Sequence, residues 1–287
     1  MRTKQFPIQT YSRTLTSATI PEAQVIIPDL GPLQGLYMYL TVTLASATAS
    51  QASNTIDNTI STFTGQDQAG EILLNVHGAT DLLVLNDILQ PRGVRTSPGA
   101  ITTNSAGAGS ATWSFFLPFT VSAKGMPAKL NLTWNPVSSL QNGSLTSAGT
   151  VTVSLKVSGA YSTATDQPSL RVRATAVPYA TGDNYIQQYL PNGEIVEALA
   201  FYITGGDGDF SYVTLTAGGQ FLLNMQDVNQ FTQQDTMLMQ SGHLSGEFIC
   251  RVPVFQVDST TTFDVNESTG SAITLYTIST AAQQRAS

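Results

Sequence analysis

The chain has 287 residues, of which 41% are hydrophobic and only 11% are charged, and its net charge is −7. This length accommodates two modest domains or one large β domain, and the hydrophobic fraction is enough for a packed core. The acidic balance excludes a surface that coats nucleic acid, because such a surface needs clustered Lys and Arg to neutralise phosphates.

The N-terminal segment carries a local excess of positive charge. Arg2, Lys4 and Arg13 precede the first acidic residue, Glu22. Three cations are too few for a nucleic-acid arm. They suit contact with anionic lipid head groups, each worth about 1 kcal/mol near a membrane surface, or a plain solvated tail.

Alternation of apolar and polar residues, rich in β-branched and aromatic side chains, recurs along the whole chain and predicts β-strands. The predicted strands are Leu36–Leu44, Ala111–Val121, Ala128–Trp134, Val151–Val157, Leu170–Val177, Ala198–Thr204, Phe210–Leu215, Glu247–Phe255 and Ala272–Ile278. Clusters of Gly, Ser, Thr, Asn and Pro between them predict loops. Such predicted loops include Ala45–Ser61, Ser97–Ser110 and Pro136–Gly149.

Two segments predict short helices, Asp81–Leu89 and Asp227–Met239. Each opens on Asp, a residue favoured at helix starts because its carboxylate accepts hydrogen bonds from free backbone N–H groups. No stretch approaches 18 apolar residues, and the N-terminus lacks the apolar core of a signal peptide. We therefore expect neither a membrane span nor export by the usual route.

The sequence contains an internal repeat. Residues Pro28–Thr41 align without gaps on Pro191–Thr204, and further blocks follow in the same order. These are Ile72–Val76 on Phe221–Met225, the two predicted helices on each other, and Phe116–Phe119 on Arg251–Val254. The blocks keep the same order in both halves. The sequence offset between matched blocks decreases only across loop-rich segments of the first half, as expected for two copies of one module with longer loops in the first. A single large β-sandwich is the alternative.

The polar, Pro-containing segment Ala160–Pro168 suits a boundary between the copies. We predict a first domain over residues 1–163, with an N-terminal arm and longer loops, and a second over 164–287. About eight short strands per copy, with long loops, favour a sandwich or jelly roll over an up-and-down meander. The predicted fold is all-β, with two tandem eight-stranded jelly-roll domains that each contain one short helix.

The candidates for site chemistry are few, and we predict no catalytic, cofactor-binding or metal-binding residues. His77 and His243 are far apart in sequence and occupy unmatched positions of the repeat, which favours structural or surface histidines. Cys250 is the single cysteine and lies in an apolar run, which favours a buried structural thiol. No cluster of His and Cys has the spacing of metal ligands, so the chain is not expected to be an enzyme.

One acidic loop, Gly205–Asp209, offers the carboxylates of Asp207 and Asp209 on a glycine-rich segment. Oxygen ligands of this kind bind Ca²⁺, but a complete site needs more of them, and the loop has no Glu at a standard spacing. A hairpin turn is the preferred interpretation of the loop.

Two jelly-roll-like copies, each with a short helix, resemble the double jelly-roll major capsid proteins of tailless icosahedral viruses, including bacteriophages with an internal membrane. The resemblance rests on Pro28–Thr41 with Pro191–Thr204, and on Leu73–Asn75 with Leu222–Asn224 before the helices. It implies a homotrimer that forms a pseudo-hexagonal capsomer and joins neighbouring capsomers and penton or minor capsid proteins. It also implies synthesis in the host cytoplasm and residence in the virion.

The resemblance further implies that Arg2, Lys4 and Arg13 face the viral interior or its membrane lipids. It also implies that the long loops Ala45–Gln68 and Ser97–Ser110 lie on the exterior or lock neighbours together. The low charge fits assembly, because desolvating a hydroxyl or an amide costs less than desolvating an ion. The alternative function is a carbohydrate- or receptor-binding β-sandwich, such as a spike or a lectin-like protein. Glycan sites use exposed aromatic residues, whereas Trp113 and Trp134 lie in apolar strand patterns that predict burial.

Overall fold

A computed structural model describes residues 3–21, 24–45, 51–52, 59–89, 101–102, 108–137, 150–163, 168–238 and 245–281. These residues divide into two compact units. The described parts of 1–83 and 96–169 form the first unit, and those of 84–95 and 170–287 form the second. Residues 164–167 lie outside the described ranges, so the boundary after residue 163 stays a prediction.

The first unit contains two antiparallel sheets. Strands β1, β11, β4 and β9 form one sheet in that order. In the other, β7, β6 and β10 are neighbours, and both β2 and β3 pair with β10. Strands β5 and β8 form a separate two-stranded antiparallel sheet. The elements are β1 (Thr3–Thr14), β2 (Ile20–Pro21), β3 (Val25–Ile27), β4 (Leu33–Leu44), β5 (Gln51–Ala52), β6 (Ile60–Gln66), β7 (Ile72–His77), α1 (Gly78–Leu89), β8 (Ile101–Thr102), β9 (Gly109–Leu117), β10 (Ala128–Trp134) and β11 (Val151–Ser162). The helix α1 begins in this unit, and its residues from 84 onward belong to the second.

The second unit also contains two antiparallel sheets. One has the order β12, β20, β14 and β17, with β18 pairing with β14. The other has the order β13, β19, β15 and β16. The elements are β12 (Arg171–Val177), β13 (Gly182–Tyr185), β14 (Glu194–Ile203), β15 (Phe210–Ala217), β16 (Gln220–Gln226), α2 (Val228–Leu238), β17 (Glu247–Cys250), β18 (Phe255–Gln256), β19 (Thr262–Glu267) and β20 (Ile273–Ala281).

The two units have the same topology. In each, the last strand lies between the first strand and the strand that carries the Pro28–Thr41 or Pro191–Thr204 repeat, and the strand after the helix closes that sheet. The second sheet is equally matched, with β10, β6 and β7 in the places of β19, β15 and β16. This strand order over two four-stranded layers is that of a jelly roll. The predicted fold class, two tandem jelly rolls with one short helix each, is confirmed.

The repeat blocks found in the sequence fall on equivalent elements. The first pair lies on β4 and β14, the second on β7 and β16, and the helix pair on α1 and α2. The last pair lies at the ends of β9 and β17, where both segments make a tight turn: Phe119 N donates to Leu117 O at 2.8 Å, and Val252 N donates to Cys250 O at 3.0 Å. Pro118 therefore follows the end of its strand, which the sequence had extended to Val121.

The core of each unit follows from strand alternation. Along β4, buried and outward residues alternate from residue 36 onward. The inward residues are Leu36, Met38, Leu40, Val42 and Leu44. In the second unit, phenylalanines dominate: the ring of Phe201 lies 4.9 Å from that of Phe248, and the Phe210 and Phe248 rings are 4.3 Å apart. Phe231 of α2 packs on the same cluster, so the helix closes the core.

Both helices begin with a carboxylate hydrogen bond. In α2, Gln230 N donates to Asp227 Oδ1 and Asp227 N donates to Gln230 Oε1, a reciprocal capping box that satisfies two free donors. The helix α1 begins at Gly78, earlier than the predicted Asp81, and Asp81 Oδ2 accepts the His77 N–H at 2.7 Å. No helix within the described residues is long and apolar enough to cross a membrane.

A charged network joins three strands of the second unit. Arg171 and Arg173 of β12 both donate to the Glu194 carboxylate of β14, at 2.7 and 2.8 Å, and Ser279 of β20 donates to it as well. Burial by itself raises the pKa of Glu194. The hydrogen bonds from Arg173 and Ser279 and the charges of both arginines outweigh burial, and they hold this pKa below its ordinary value of 4.5.

Two segments differ from the sequence-based prediction. The N-terminal segment is not a solvated tail, because residues 3–14 form β1, which pairs with β11 along its whole length. Part of the predicted loop Ala45–Gln68 is also strand, since it contains β5 and β6. Most of Ser97–Ser110 and of Pro136–Gly149 lies outside the described residues.

Candidate assembly surfaces

The residues that were candidates for chemistry are dispersed. His77 is exposed at the end of β7, and His243 lies outside the described residues. Cys250 is buried, and burial raises the pKa of its thiol above the ordinary value, as the prediction of a structural thiol requires. Within the part of the chain that the structure describes, no group of three or more His, Cys, Asp and Glu residues is arranged to hold a metal.

Both tryptophans are buried in the first unit, as their strand patterns predicted. Trp113 stacks obliquely on Phe115, with 4.3 Å between ring centroids, and Trp134 ends β10 on its inward face. Neither is available to stack on a sugar ring. The exposed aromatic residues are tyrosines and phenylalanines, and the largest exposed fraction among them belongs to Phe221 at 66%.

The first unit presents an outward surface of hydroxyl groups, which we call the hydroxyl-rich face. It consists of Tyr37, Tyr39, Thr41 and Thr43 of β4, Thr112, Ser114 and Phe116 of β9, and Thr152, Ser154 and Lys156 of β11. These residues share one side of the sheet because they occupy alternate strand positions that face each other in register.

Contacts across the hydroxyl-rich face order its side chains. The Thr41 and Thr112 hydroxyls lie 3.0 Å apart, and the Tyr37 and Phe116 rings are 5.2 Å apart. The Lys156 ammonium lies 5.7 Å from the centre of the Tyr39 ring, within the range of a cation–π contact. Amphipathic aromatic residues among neutral hydroxyls are typical of surfaces that bind other proteins, because they give contact area at a low desolvation cost.

Strand β1 ends this sheet and is exposed along most of its length. Lys4 and Arg13 are both exposed on it, whereas Arg2 lies outside the described residues. Phe6 is partly exposed and packs edge-on against Tyr161, with 6.2 Å between centroids. An edge strand offers backbone donors and acceptors to a further strand, so β1 is a second candidate contact surface.

The second unit presents a different outward surface, which we call the tyrosine–carboxylate face. It consists of Asp183 and Tyr185 of β13, Tyr212 of β15, and Asp264 and Asn266 of β19. The Asp183 carboxylate accepts the Tyr212 hydroxyl at 3.0 Å and the Asn266 amide at 2.6 Å. Burial, and then the charge of Asp183, raise the pKa of Asp264. The tyrosine–carboxylate face thus carries negative charge, whereas the hydroxyl-rich face carries the positive charge of a lysine.

Large apolar side chains are also exposed near α2. Phe221 and Met225 lie on β16, and Met237 lies on α2 with an exposed fraction of 78%. Scattered apolar side chains are normal on protein surfaces, but grouped ones mark binding surfaces. Flexible methionine side chains adapt easily to a partner. Sequence reasoning did not single out these residues as a surface, because Phe221 and Met225 share the alternation phase of the buried Leu223.

No protein-family model matches the sequence, and no curated protein matches it. Solved structures do match. The major capsid protein of STIV, the Sulfolobus Turreted Icosahedral Virus, superposes with a TM-score of 0.69 at 12% identity, over 97% of this chain and 98% of that chain. The chain has the double jelly-roll fold. This agrees with the matched strand order of its two units.

Two further capsid structures have the same double jelly roll. The major capsid protein P2 of bacteriophage PM2 matches with a TM-score of 0.57 at 9% identity, over 98% of this chain and 97% of that chain. A chain of the PBCV-1 virus capsid matches with a TM-score of 0.63 at 10% identity, over 96% and 92%. At such identities the likeness establishes the fold, and it confirms the resemblance inferred from the repeat at that level.

Proposed function

We propose that this double jelly roll is a structural major capsid protein, which trimerises into pseudo-hexagonal capsomers and assembles an icosahedral shell in the virion. The observation that carries the proposal is the match of both jelly rolls, over nearly the whole chain, to capsid proteins of different icosahedral viruses. The match covers nearly all of those chains too, so it includes their whole tandem arrangement of modules.

The exterior of the chain supports this proposal. Only 11% of the residues are charged, so many copies can crowd together with little mutual repulsion. The hydroxyl-rich face and the tyrosine–carboxylate face offer neutral hydroxyls and amphipathic rings. Burying such groups against a neighbour carries a smaller desolvation penalty than burying ions. Many weak contacts of this kind, closed by cyclic symmetry, give a stable capsomer.

The chain's partners would therefore be copies of itself, neighbouring capsomers and penton or minor capsid proteins. Lys4 and Arg13 lie on exposed positions of β1, and together with Arg2 they would contact anionic head groups of an internal membrane. Under this proposal the chain is not an enzyme and needs no cofactor. Of the solved structures it matches, PM2 is a bacteriophage, and a bacteriophage source is part of the proposal.

The test is assembly of the purified chain. Light scattering after size-exclusion chromatography should give a trimer at high concentration, and electron micrographs should show hexagonal capsomers or shells. The double variant Tyr37→Glu with Tyr39→Glu places two charges on the hydroxyl-rich face and should weaken assembly without unfolding the chain. Tyr37→Phe with Tyr39→Phe is the matched control, because it keeps the rings and adds no charge.

Two outcomes would contradict the proposal. A strictly monomeric chain at high concentration, with no particles in micrographs, would refute a capsid role. A signal on a glycan array from that monomer would favour the alternative, a carbohydrate- or receptor-binding protein.

A further inference from the structure

Two loops of the second jelly roll meet at one end of its sandwich. The first is the β14–β15 connection with Asp209, and the second is the β19–β20 connection with Ser268 and Ser271. Ser268 N donates to Asp209 O at 2.8 Å, and the Ser271 hydroxyl donates to Asp209 Oδ2. The first loop links strands of different sheets, so it is not the hairpin turn that the sequence suggested.

A buried glutamate lies beside this junction. Glu267 is the last residue of β19 and continues the inward phase of Phe263 and Val265, with an exposed fraction of only 1%. Its Oε2 accepts the Ser271 N–H at 3.0 Å. The other oxygen, Oε1, is buried and has no hydrogen-bond partner among the described residues. A buried carboxylate oxygen without a partner is costly, so it indicates a missing ligand.

Ser271 places the two carboxyl groups close together, because its backbone N–H bonds Glu267 while its hydroxyl bonds Asp209. Burial, and then the charge of Asp209, raise the pKa of Glu267. Neither carboxylate forms an ion pair within the described part of the chain. The arginines described in this unit bond Glu194 or Asp235 instead. The junction therefore holds negative charge that no described side chain offsets.

We propose that Asp209, Glu267 and Ser271 bind a calcium ion. Ca²⁺ takes six to eight oxygen ligands in a flexible geometry, and carboxylate, hydroxyl, backbone carbonyl and water oxygens all serve. Asp209 and Glu267 supply carboxylate oxygens from the two loops, Ser271 supplies a hydroxyl, and water completes the shell. Glu267 is the glutamate that the Gly205–Asp209 loop itself lacks, and it comes from a distant strand.

Two neighbouring residues define the limits of this site. Asp207 joins a different part of the chain, since its Oδ1 accepts the Gly246 N–H at 2.8 Å, and the proposed site does not include it. Gly205 keeps room for the Asp209 carboxylate, since a Cβ atom at this position would fall 1.4 Å from Asp209 Oδ2. A bound ion would tie the two loops together, so it should stabilise the second jelly roll without changing its fold.

The experiment uses the full chain, freed of divalent ions by a chelator. Calcium at 5–10 mM should raise the Tm by about 3–8 °C, which corresponds to binding at a Kd of about 0.1–1 mM. Magnesium at the same concentration should raise it less, since Mg²⁺ demands a near-ideal octahedron. Isothermal titration calorimetry with calcium chloride measures the binding directly.

The variants locate the site. Glu267→Gln and Asp209→Asn should each remove the calcium-dependent Tm shift. Glu267→Gln should also raise the Tm of the chelator-treated chain, because it removes repulsion between the two carboxylates. Asp258→Asn is the matched control: it removes one acidic charge from an exposed turn of the same unit and should keep the shift. If one variant fails to fold, the other and the titration of the unchanged chain still decide.

Three results would overturn the proposal. The first is an unchanged Tm and no calcium binding by the unchanged chain. The second is a calcium shift that survives in Glu267→Gln. The third is a Tm that ignores calcium but rises at acidic pH only when Glu267 is present, which would mean that a shared proton satisfies the pair.

Discussion

Removal of the Asp235 carboxylate tests how α2 is held in the second jelly roll. Asp235 has an exposed fraction of 2%, and its Oδ1 lies 2.8 Å from Nη2 of Arg251, whose side chain is 19% exposed. Arg251 directly follows β17, so the ion pair joins the helix to the sheet that carries Phe248 and Cys250. The change Asp235→Ala leaves a largely buried guanidinium without its carboxylate.

The size of the effect follows from burial. Removing one partner of a buried ion pair costs about 3–5 kcal/mol, because the remaining charge stays desolvated. Water reaches part of the Arg251 side chain, so we expect the lower end, about 3 kcal/mol. For a unit of this size that is a Tm decrease of roughly 6–12 °C. The control Gln233→Ala, at an exposed position of α2, should change stability by less than about 0.5 kcal/mol.

The assay needs a probe inside the second unit. Trp113 and Trp134 both lie in the first unit, so tryptophan fluorescence reports that unit. Cys250 is buried in the second, and its rate of reaction with a thiol reagent across a urea series reports opening there. In Asp235→Ala the midpoint of thiol exposure should move to lower urea.

A double-mutant cycle decides whether the ion pair is the cause. The change Arg251→Met replaces the charged side chain with an apolar one of similar length. The combination Asp235→Ala with Arg251→Met should be more stable than Asp235→Ala alone, because no charge is left buried. If the double variant is no more stable than Asp235→Ala, the loss comes from helix packing and the reasoning from the ion pair is wrong.

Three further predictions concern the second unit. Glu194→Gln should cost about 2 kcal/mol at neutral pH. Since the folded pKa of Glu194 lies below the unfolded value, this contribution is complete above about pH 4.5 and lost as pH falls through the folded pKa, so denaturation curves of the two proteins should converge in acid. Phe201→Ala should cost about 3–5 kcal/mol in urea unfolding, whereas exposed Phe221→Ala should cost little. Native Cys250 should resist thiol reagents until the chain unfolds, which mass spectrometry of labelled protein can verify.

The strands with regular alternation were predictable from sequence. In β4 from Leu36 onward, and in β14 from Leu199 onward, every inward position carries an apolar residue, so these parts of the strands and their inward faces follow directly. The duplication was also predictable, because the blocks that match lie on equivalent strands and helices of the two jelly rolls. Loops between them are free to vary, and this explains why the spacing of the blocks shifts while their order stays.

Strand β1 was not predictable in the same way. Its sequence, TKQFPIQTYSRT, has no apolar phase because the strand is exposed on most positions and packs few side chains. It is a strand because β11 offers it a hydrogen-bonding edge, and that is a tertiary effect on a sequence with weak preference. Sequence-based reasoning therefore assigned Lys4 and Arg13 to a tail, although both lie on a sheet.

The junction around Glu267 had a signal that was not used. In the run Phe263–Glu267 the glutamate takes the position at which alternation requires an apolar residue. A charged side chain in the inward phase conflicts with the rest of its strand, and such local conflicts are expected at functional sites. The sequence could not say which loop would face it, because Asp209 is brought to it only by the strand order of the sandwich.

The two units have the same topology but different surfaces. Under the proposed capsid function, both properties would affect how the subunits assemble. Under the proposed function, three chains would supply six modules of one topology, so that a ring with a nearly hexagonal outline would close under three-fold symmetry alone. Because the two modules of one chain differ in surface charge, they would also distinguish which module of a neighbouring chain each of them contacts. The hydroxyl-rich face carries Lys156, whereas the tyrosine–carboxylate face carries Asp183 and Asp264. In the proposed trimer, contacts between unlike modules of neighbouring chains would be favoured over contacts between like ones, and this preference would specify one register around the ring.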